Sequence, residues 1–202
     1  MTDRRAFSVT WDYRCPFARN GHTHVVAGLR DGAPWDVTFV PFSLGQVHVA
    51  EGEPDIWGRW RDDSGLLALQ AGVVVRDKFA DRFLDVHEAL FALRHDDSGQ
   101  LRDEAQVRAT LEAQGVDADV VFDEIATGSS IDAVQAAHEA VASGQRVWGV
   151  PTFIVGDQAV FVRLMDRAGP DPAPSRAAIE RILDLLTGWP ELNEFKHTSI
   201  PR

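Results

Sequence analysis

The chain has a single cysteine, and its place in the sequence suggests chemistry. Cys15 stands in Trp11-Asp12-Tyr13-Arg14-Cys15-Pro16-Phe17-Ala18, after an apolar run and at the start of a helical pattern. A helix N-terminus carries unpaired N–H groups and partial positive charge. A sulfur there can accept hydrogen bonds as a thiolate from the amides of Phe17 and Ala18, since Pro16 has none to give. Arg14, and Arg19 one turn on, would add positive potential. Such surroundings lower a cysteine pKa from roughly 8.5 to about 3.5–7.5. The expectation is a thiolate that attacks disulfides, peroxides or carbon electrophiles. The competing reading is a cysteine that merely packs as a small hydrophobe.

Far downstream, Trp148-Gly149-Val150-Pro151-Thr152-Phe153 reads as the second half of the same site. A proline between a glycine-containing turn and an apolar strand is a candidate for a cis bond, the other reading being a trans proline that starts an edge strand. If the turn faces the thiol, the Val150 backbone can pair with an extended substrate or the cysteinyl part of a small thiol. Trp11, Trp57, Trp60 and Trp148 either line an apolar groove or fill the core. Other constellations carry less. His87-Glu88 and His138-Glu139 open like HExxH, but Phe91 and Ala142 stand where the second histidine belongs, so no metal site is expected. His22 and His24 are two apart and a helix points them to different sides. His48 is expected in a solvated loop, Ser129-Ser130 as helix caps, and Asp62-Asp63 and Asp96-Asp97 as solvated turns.

The elements that must position these residues follow from periodicity. Phe7–Trp11 and Trp35–Phe42 alternate as strands, with a helix between them from Pro16 to Leu29. A helical middle follows. Glu51–Asp63 is polar, with Trp57 and Trp60 three apart. Lys78–Arg94 sets Phe79, Phe83, Val86, Leu90 and Leu93 at helical spacing. Helices are also expected over Leu101–Gln114, from Asp117 to Gly128, and from Ser129 or Ser130 to Gly144. Thr152–Val155 and Ala159–Val162 read as strands joined by Gly156-Asp157 in a II′-type turn. Ser175 would cap a last helix ending at Gly188, and the tail from Pro190 reads as extended. The order predicts an α/β chain: a thioredoxin-like domain over 1–50 and 130–190, an inserted helical subdomain over 51–129, and a tail over 191–202.

Composition narrows the function. Thirty-one acids against 20 bases give a formal charge of −11, which argues against nucleic acid or an anionic membrane surface. No apolar run reaches the ~18–20 residues that span a bilayer. The polar N-terminus lacks a leader-like apolar core, so a cytoplasmic protein is expected. One cysteine cannot form an internal disulfide. Oligomeric state has no signature here.

Cys15-Pro16-Phe17-Ala18 and Gly149-Val150-Pro151-Thr152-Phe153, separated by a helical insertion, resemble the DsbA-like family of thiol–disulfide oxidoreductases. The resemblance covers about residues 6–42 and 130–187, and the insertion only by its helical character. It implies a thioredoxin fold, a nucleophile at Cys15 and a cis-proline at Pro151. Pro16, Phe17, Ala18, Val150 and Pro151 would contact substrate, with support from Arg14, Trp148 and His138, which matches a histidine often seen there. The sequence departs from the family at Ala18, where dithiol members carry a second cysteine. A mixed disulfide at Cys15 must then be released by an outside thiol. The expected function is monothiol exchange, with no tightly bound cofactor and a low-molecular-weight thiol as co-substrate. Kappa-class glutathione transferases and 2-hydroxychromene-2-carboxylate isomerases are similar in layout but typically have serine at the Cys15 position, so a thiol-dependent enzyme of that kind is an alternative. A non-catalytic thioredoxin-fold binding protein is another.

Overall fold

A computed structural model describes residues 4–200. The extreme N-terminus read above, Met1–Asp3, and the last two residues of the tail lie outside the described residues. The element order is β1 (Arg5–Trp11), α1 (Pro16–Arg30), β2 (Trp35–Pro41), α2 (Leu44–Val47), a 3-10 turn (Trp57–Asp62), α3 (Leu66–Lys78), α4 (Phe83–His95), α5 (Glu104–Ala113), α6 (Ala118–Thr127), α7 (Ser129–Gly144), β3 (Thr152–Val155), β4 (Gln158–Phe161) and α8 (Pro172–Gly188).

The four strands form one sheet in the order β2-β1-β3-β4. β1 and β2 are parallel, as a strand–helix–strand crossover requires, with Val9 beside Phe39. β3 runs antiparallel to β1, with Val9 beside Phe153, and pairs with β4 as a hairpin. Val155 faces Gln158, so Gly156-Asp157 is a two-residue loop, and Gly156 has φ +61° while Asp157 stays at negative φ. That is the II′ pattern read from the sequence. α1 and α8 pack on each other and on the strands, and α7 packs on β2. The arrangement is thioredoxin-like. β1 contributes Phe7, Val9 and Trp11 to the core, and Phe7 meets Trp35 and Phe153 at ring centroids 6.0 Å apart. Each such burial is worth roughly 1.5–3 kcal/mol.

The helical layer differs from its sequence reading. α3 carries ten consecutive buried residues, Leu66–Val75, and packs against α4, α5, α6 and α7. A helix buried on all sides has no amphipathic period, so its sequence gave no helical signal. The helix expected over Lys78–Arg94 begins instead at Phe83, because Lys78 ends α3 and residues 79–82 turn the chain into α4. The polar stretch Glu51–Asp63 supports only the 3-10 turn. Asp103 and Asp117 cap α5 and α6 through their side chains. Two expected caps are corrected. α7 starts from Gly128, at φ +86°, and Ser130 is buried against Gln70. α8 starts from Asp171, and Ser175 lies inside it, bonded to His24 at 2.9 Å.

Candidate functional site

Cys15 is the N-cap residue of α1, with Pro16 in the first turn. Its Sγ accepts a hydrogen bond from the Ala18 amide at 3.4 Å. The thiol in turn donates to the Val150 carbonyl at 3.3 Å. The Val150–Pro151 bond is cis. The two segments singled out in the sequence therefore meet. Gly21 of α1 lets them approach: a Cβ there would lie 3.0 Å from Pro151 Cγ. Thr10 fixes the turn from the β1 side. Its hydroxyl accepts from Thr152 N at 2.9 Å and donates to the Gly149 carbonyl at 3.4 Å. Pro16 is exposed, Phe17 partly so, and Ala18 fully buried.

The electrostatics correct the expectation of a low thiol pKa. Burial pushes the Cys15 thiol up, and it outweighs the Ala18 and Phe17 amides and Arg163, which favour the thiolate. Asp12 adds to the rise. The two arginines expected to help are committed elsewhere. Arg14 forms ion pairs with Asp12 at 2.6 Å and Asp63 at 2.8 Å. Burial opposes the Arg14 charge, but these carboxylates hold its pKa above the ordinary range. Arg19 pairs with Asp96, which Arg167 also meets at 3.4 Å.

Asp63 and Asp96 are thus not free solvated turn residues. Asp63 accepts from the amides of Gly65 and Leu66 at the start of α3, and Asp12 accepts from Leu44 N at the start of α2. A three-residue ionic clasp joins the thiol loop to both helix N-termini.

Sequence reasoning also missed a second clasp. Tyr13 Oη lies 3.0 Å from His87 Nδ1, His87 Nε2 lies 2.9 Å from His22 Nδ1, and His22 Nε2 lies 3.0 Å from the Thr10 carbonyl. A carbonyl only accepts, so His22 donates through Nε2. His87 then donates to His22, and Tyr13 donates to His87. Burial pushes His22 down to about 4 against the pull of the Thr10 carbonyl, and burial with His22 nearby holds His87 well below its ordinary value. Both rings are neutral. Gly72 of α3 makes room for this chain, since a Cβ there would lie 2.4 Å from the Tyr13 hydroxyl.

The remaining sequence candidates fall into place differently. His138 accepts from Ser43 N at 3.2 Å and lies against Phe42 and Trp57. Burial lowers its pKa, which Glu139 and Asp12 only partly offset. It braces the loop after β2. Trp148 is 63% exposed and rests on Phe161 at 4.6 Å. Trp11 and Trp57 are buried. Arg163 was not anticipated. Its guanidinium sits 5.3 Å from the centre of the Phe17 ring. The hairpin register could have found it, because Thr152 faces Phe161 and Val162 N bonds the Pro151 carbonyl at 3.1 Å, which sets residue 163 across from Val150. Among the described residues, no group of three or more His, Cys, Asp or Glu side chains could hold a metal ion. None of the described helices is long and apolar enough to cross a membrane.

Comparison with known proteins places this geometry. No curated protein matches the sequence. The structure is similar to 2-hydroxychromene-2-carboxylate isomerase, with TM-score 0.61 and 14% identity over 89% of this chain and 96% of that one. It is similar to oxidised BdbD from Bacillus subtilis, with TM-score 0.59 and 16% identity over 91% and 88%. It is also similar to the oxidoreductase DsbA from Xylella fastidiosa, with TM-score 0.57 and 17% identity over 91% and 86%. At these identities the likeness is one of fold. The profile of the DSBA-like thioredoxin domain matches residues 62–168, from the 3-10 turn through the helical layer to the loop after β4. That match covers more than half of the chain and includes the cis-prolyl turn facing Cys15, so the protein belongs to the DSBA-like thioredoxin domain family.

Proposed function

We propose that the protein is a monothiol oxidoreductase that exchanges disulfides through Cys15. The observation that carries this reading is the sulfur at the α1 N-cap, bonded to the Ala18 amide and facing the carbonyl of Val150 beside the cis-proline. In the first step the Cys15 thiolate attacks one sulfur of a small disulfide. The substrate S–S bond breaks, a mixed disulfide forms at Cys15, and the other half leaves as a thiolate that takes a proton from water. No cysteine stands at position 18 to resolve the intermediate. A second low-molecular-weight thiol attacks the mixed disulfide, releases Cys15 and carries the other half away. Pro16 and Phe17 form the surface that faces substrate beside Cys15, with the buried Val150 and Pro151 directly behind it. A cytoplasmic location, where such thiols abound, suits this cycle.

Burial keeps the thiolate fraction low at neutral pH. Thiolate nucleophilicity rises with pKa, which offsets part of that loss. Exposing the folded protein to a small disulfide and weighing it tests the reading. One adduct at Cys15, removed by added thiol, is expected. A folded protein that stays unmodified overturns it.

The raised thiol favours a second reading. A protonated Cys15 donates a hydrogen bond, so it could polarise a bound thiol that itself does the chemistry, as in a thiol-dependent transferase or isomerase. Cys15→Ser separates the two. Activity kept by the serine variant favours the second reading, and activity lost favours the first.

A further inference from the structure

Arg14 and Arg19 flank the thiol in sequence and Arg163 lies over Phe17 beside it, and only Arg163 has its charge to spare. Arg14 is neutralised by Asp12 and Asp63, and Arg19 by Asp96. Arg163 has no carboxylate partner among the described residues. It leaves the sheet just after β4, across the hairpin from Val150, and lays its guanidinium over Phe17, two residues after the nucleophile. One cation therefore touches both halves of the site, the α1 N-terminus and the cis-prolyl hairpin. It does so in a chain whose formal charge is −11, where an uncompensated cation beside the sulfur runs against the overall field. Stacking on an aromatic face fixes a guanidinium while leaving its N–H groups free for a carboxylate.

We propose that Arg163 is the specificity residue of this site, docking the carboxylate of an anionic small thiol or disulfide as its sulfur meets Cys15. This rests on exchange chemistry at Cys15, as set out above. The ring of Phe17 holds the guanidinium in place. Exposed Trp148, just before β3 and resting on the half-buried Phe161 of β4, offers apolar surface to the rest of the ligand. Arg163 also favours the Cys15 thiolate, so a loss of rate in an Arg163 variant has two sources that the test must separate.

The test uses the full chain and three disulfides of different charge: dianionic 5,5′-dithiobis(2-nitrobenzoate), neutral 2,2′-dithiodipyridine and dicationic cystamine. The rate of Cys15 modification is measured at low salt for the native protein, Arg163→Gln and Arg163→Glu. All three probes report the same thiolate, so the ratio of dianionic to neutral rates cancels any change in its population. The ratio is expected to fall on the order of 10-fold in Arg163→Gln. It should fall further in Arg163→Glu, with cystamine accelerated, and added salt should erase the preference in the native protein alone. Unchanged ratios in both variants overturn the role of Arg163 and leave exchange at Cys15 standing. A native protein in which Cys15 reacts with none of the three while folded overturns both. Arg163 is exposed and carries no ion pair, so both variants are expected to keep the native unfolding midpoint.

Discussion

The loop that carries Cys15 is held on two sides by opposite chemistry. On one side Asp12 and Arg14 reach α2 and α3 with full charges, closed by Asp63. On the other, Tyr13 reaches α4 and α1 through two neutral imidazoles. Alternating residues of one short loop thus look toward different helices. The ionic clasp depends on all three of its charges, and its weakness is the loss of a partner. The neutral clasp survives only while both histidines stay unprotonated. The first fixes where the loop sits, and the second fixes the direction in which its hydrogen bonds run.

The largest effect comes from opening the ionic clasp. Arg14→Met leaves Asp12, 1% exposed at its side chain, as a buried charge without its cation. The expected loss is about 3–5 kcal/mol by guanidinium unfolding. Adding Asp12→Asn to that variant should recover part of the loss. If the double variant is no better than the single, the clasp is not held by charge.

Acid attacks the other side. His22 titrates near 4 in the folded protein and near 6.5 when unfolded. The unfolded chain therefore takes up the proton first as pH falls. Stability from this residue is complete above about 6.5 and is lost down to about 4, a drop of about 3 kcal/mol. His87 shifts in the same direction. Unfolding midpoints measured between pH 7 and 4 should fall steeply. The steepness should persist in the Arg14→Met variant if the two clasps are independent.

Tyr13→Phe has a smaller effect. It removes the donor to His87 Nδ1 and leaves that nitrogen buried and unpaired, for a cost of about 1–2 kcal/mol. Thermal unfolding at pH 7 measures it. The smallest effect is kinetic. The rate of Cys15 alkylation by iodoacetamide should climb with pH through about 8.5 and beyond. A plateau below pH 7.5 would show that the α1 N-terminus, and not burial, controls the sulfur.

The sheet and the two halves of the site were legible because each carries local punctuation. Pro16 starts α1, Gly156-Asp157 turns the hairpin, and Cys15 and Pro151 stand at element boundaries. α3 was not legible, since ten successive buried residues have no polar face to set a period. The thiol's environment was not legible either. Arg14 reads as a nearby cation until Asp63 is brought against it from the start of α3. His22 and His24 were rightly expected to point apart, but their partners, His87 and Ser175, lie on α4 and α8. Pairings across that much sequence leave no mark in spacing.

The contact between the Cys15 sulfur and the Val150 carbonyl spans 135 residues. During synthesis at roughly 5–20 residues per second, the thiol is made about 7–27 s before its partner. For that interval it is an ordinary unguarded side chain, without the turn that covers it in the finished protein. A chain with one cysteine has no second thiol of its own to reverse an oxidation in that interval, so reversal falls to a thiol from outside the chain.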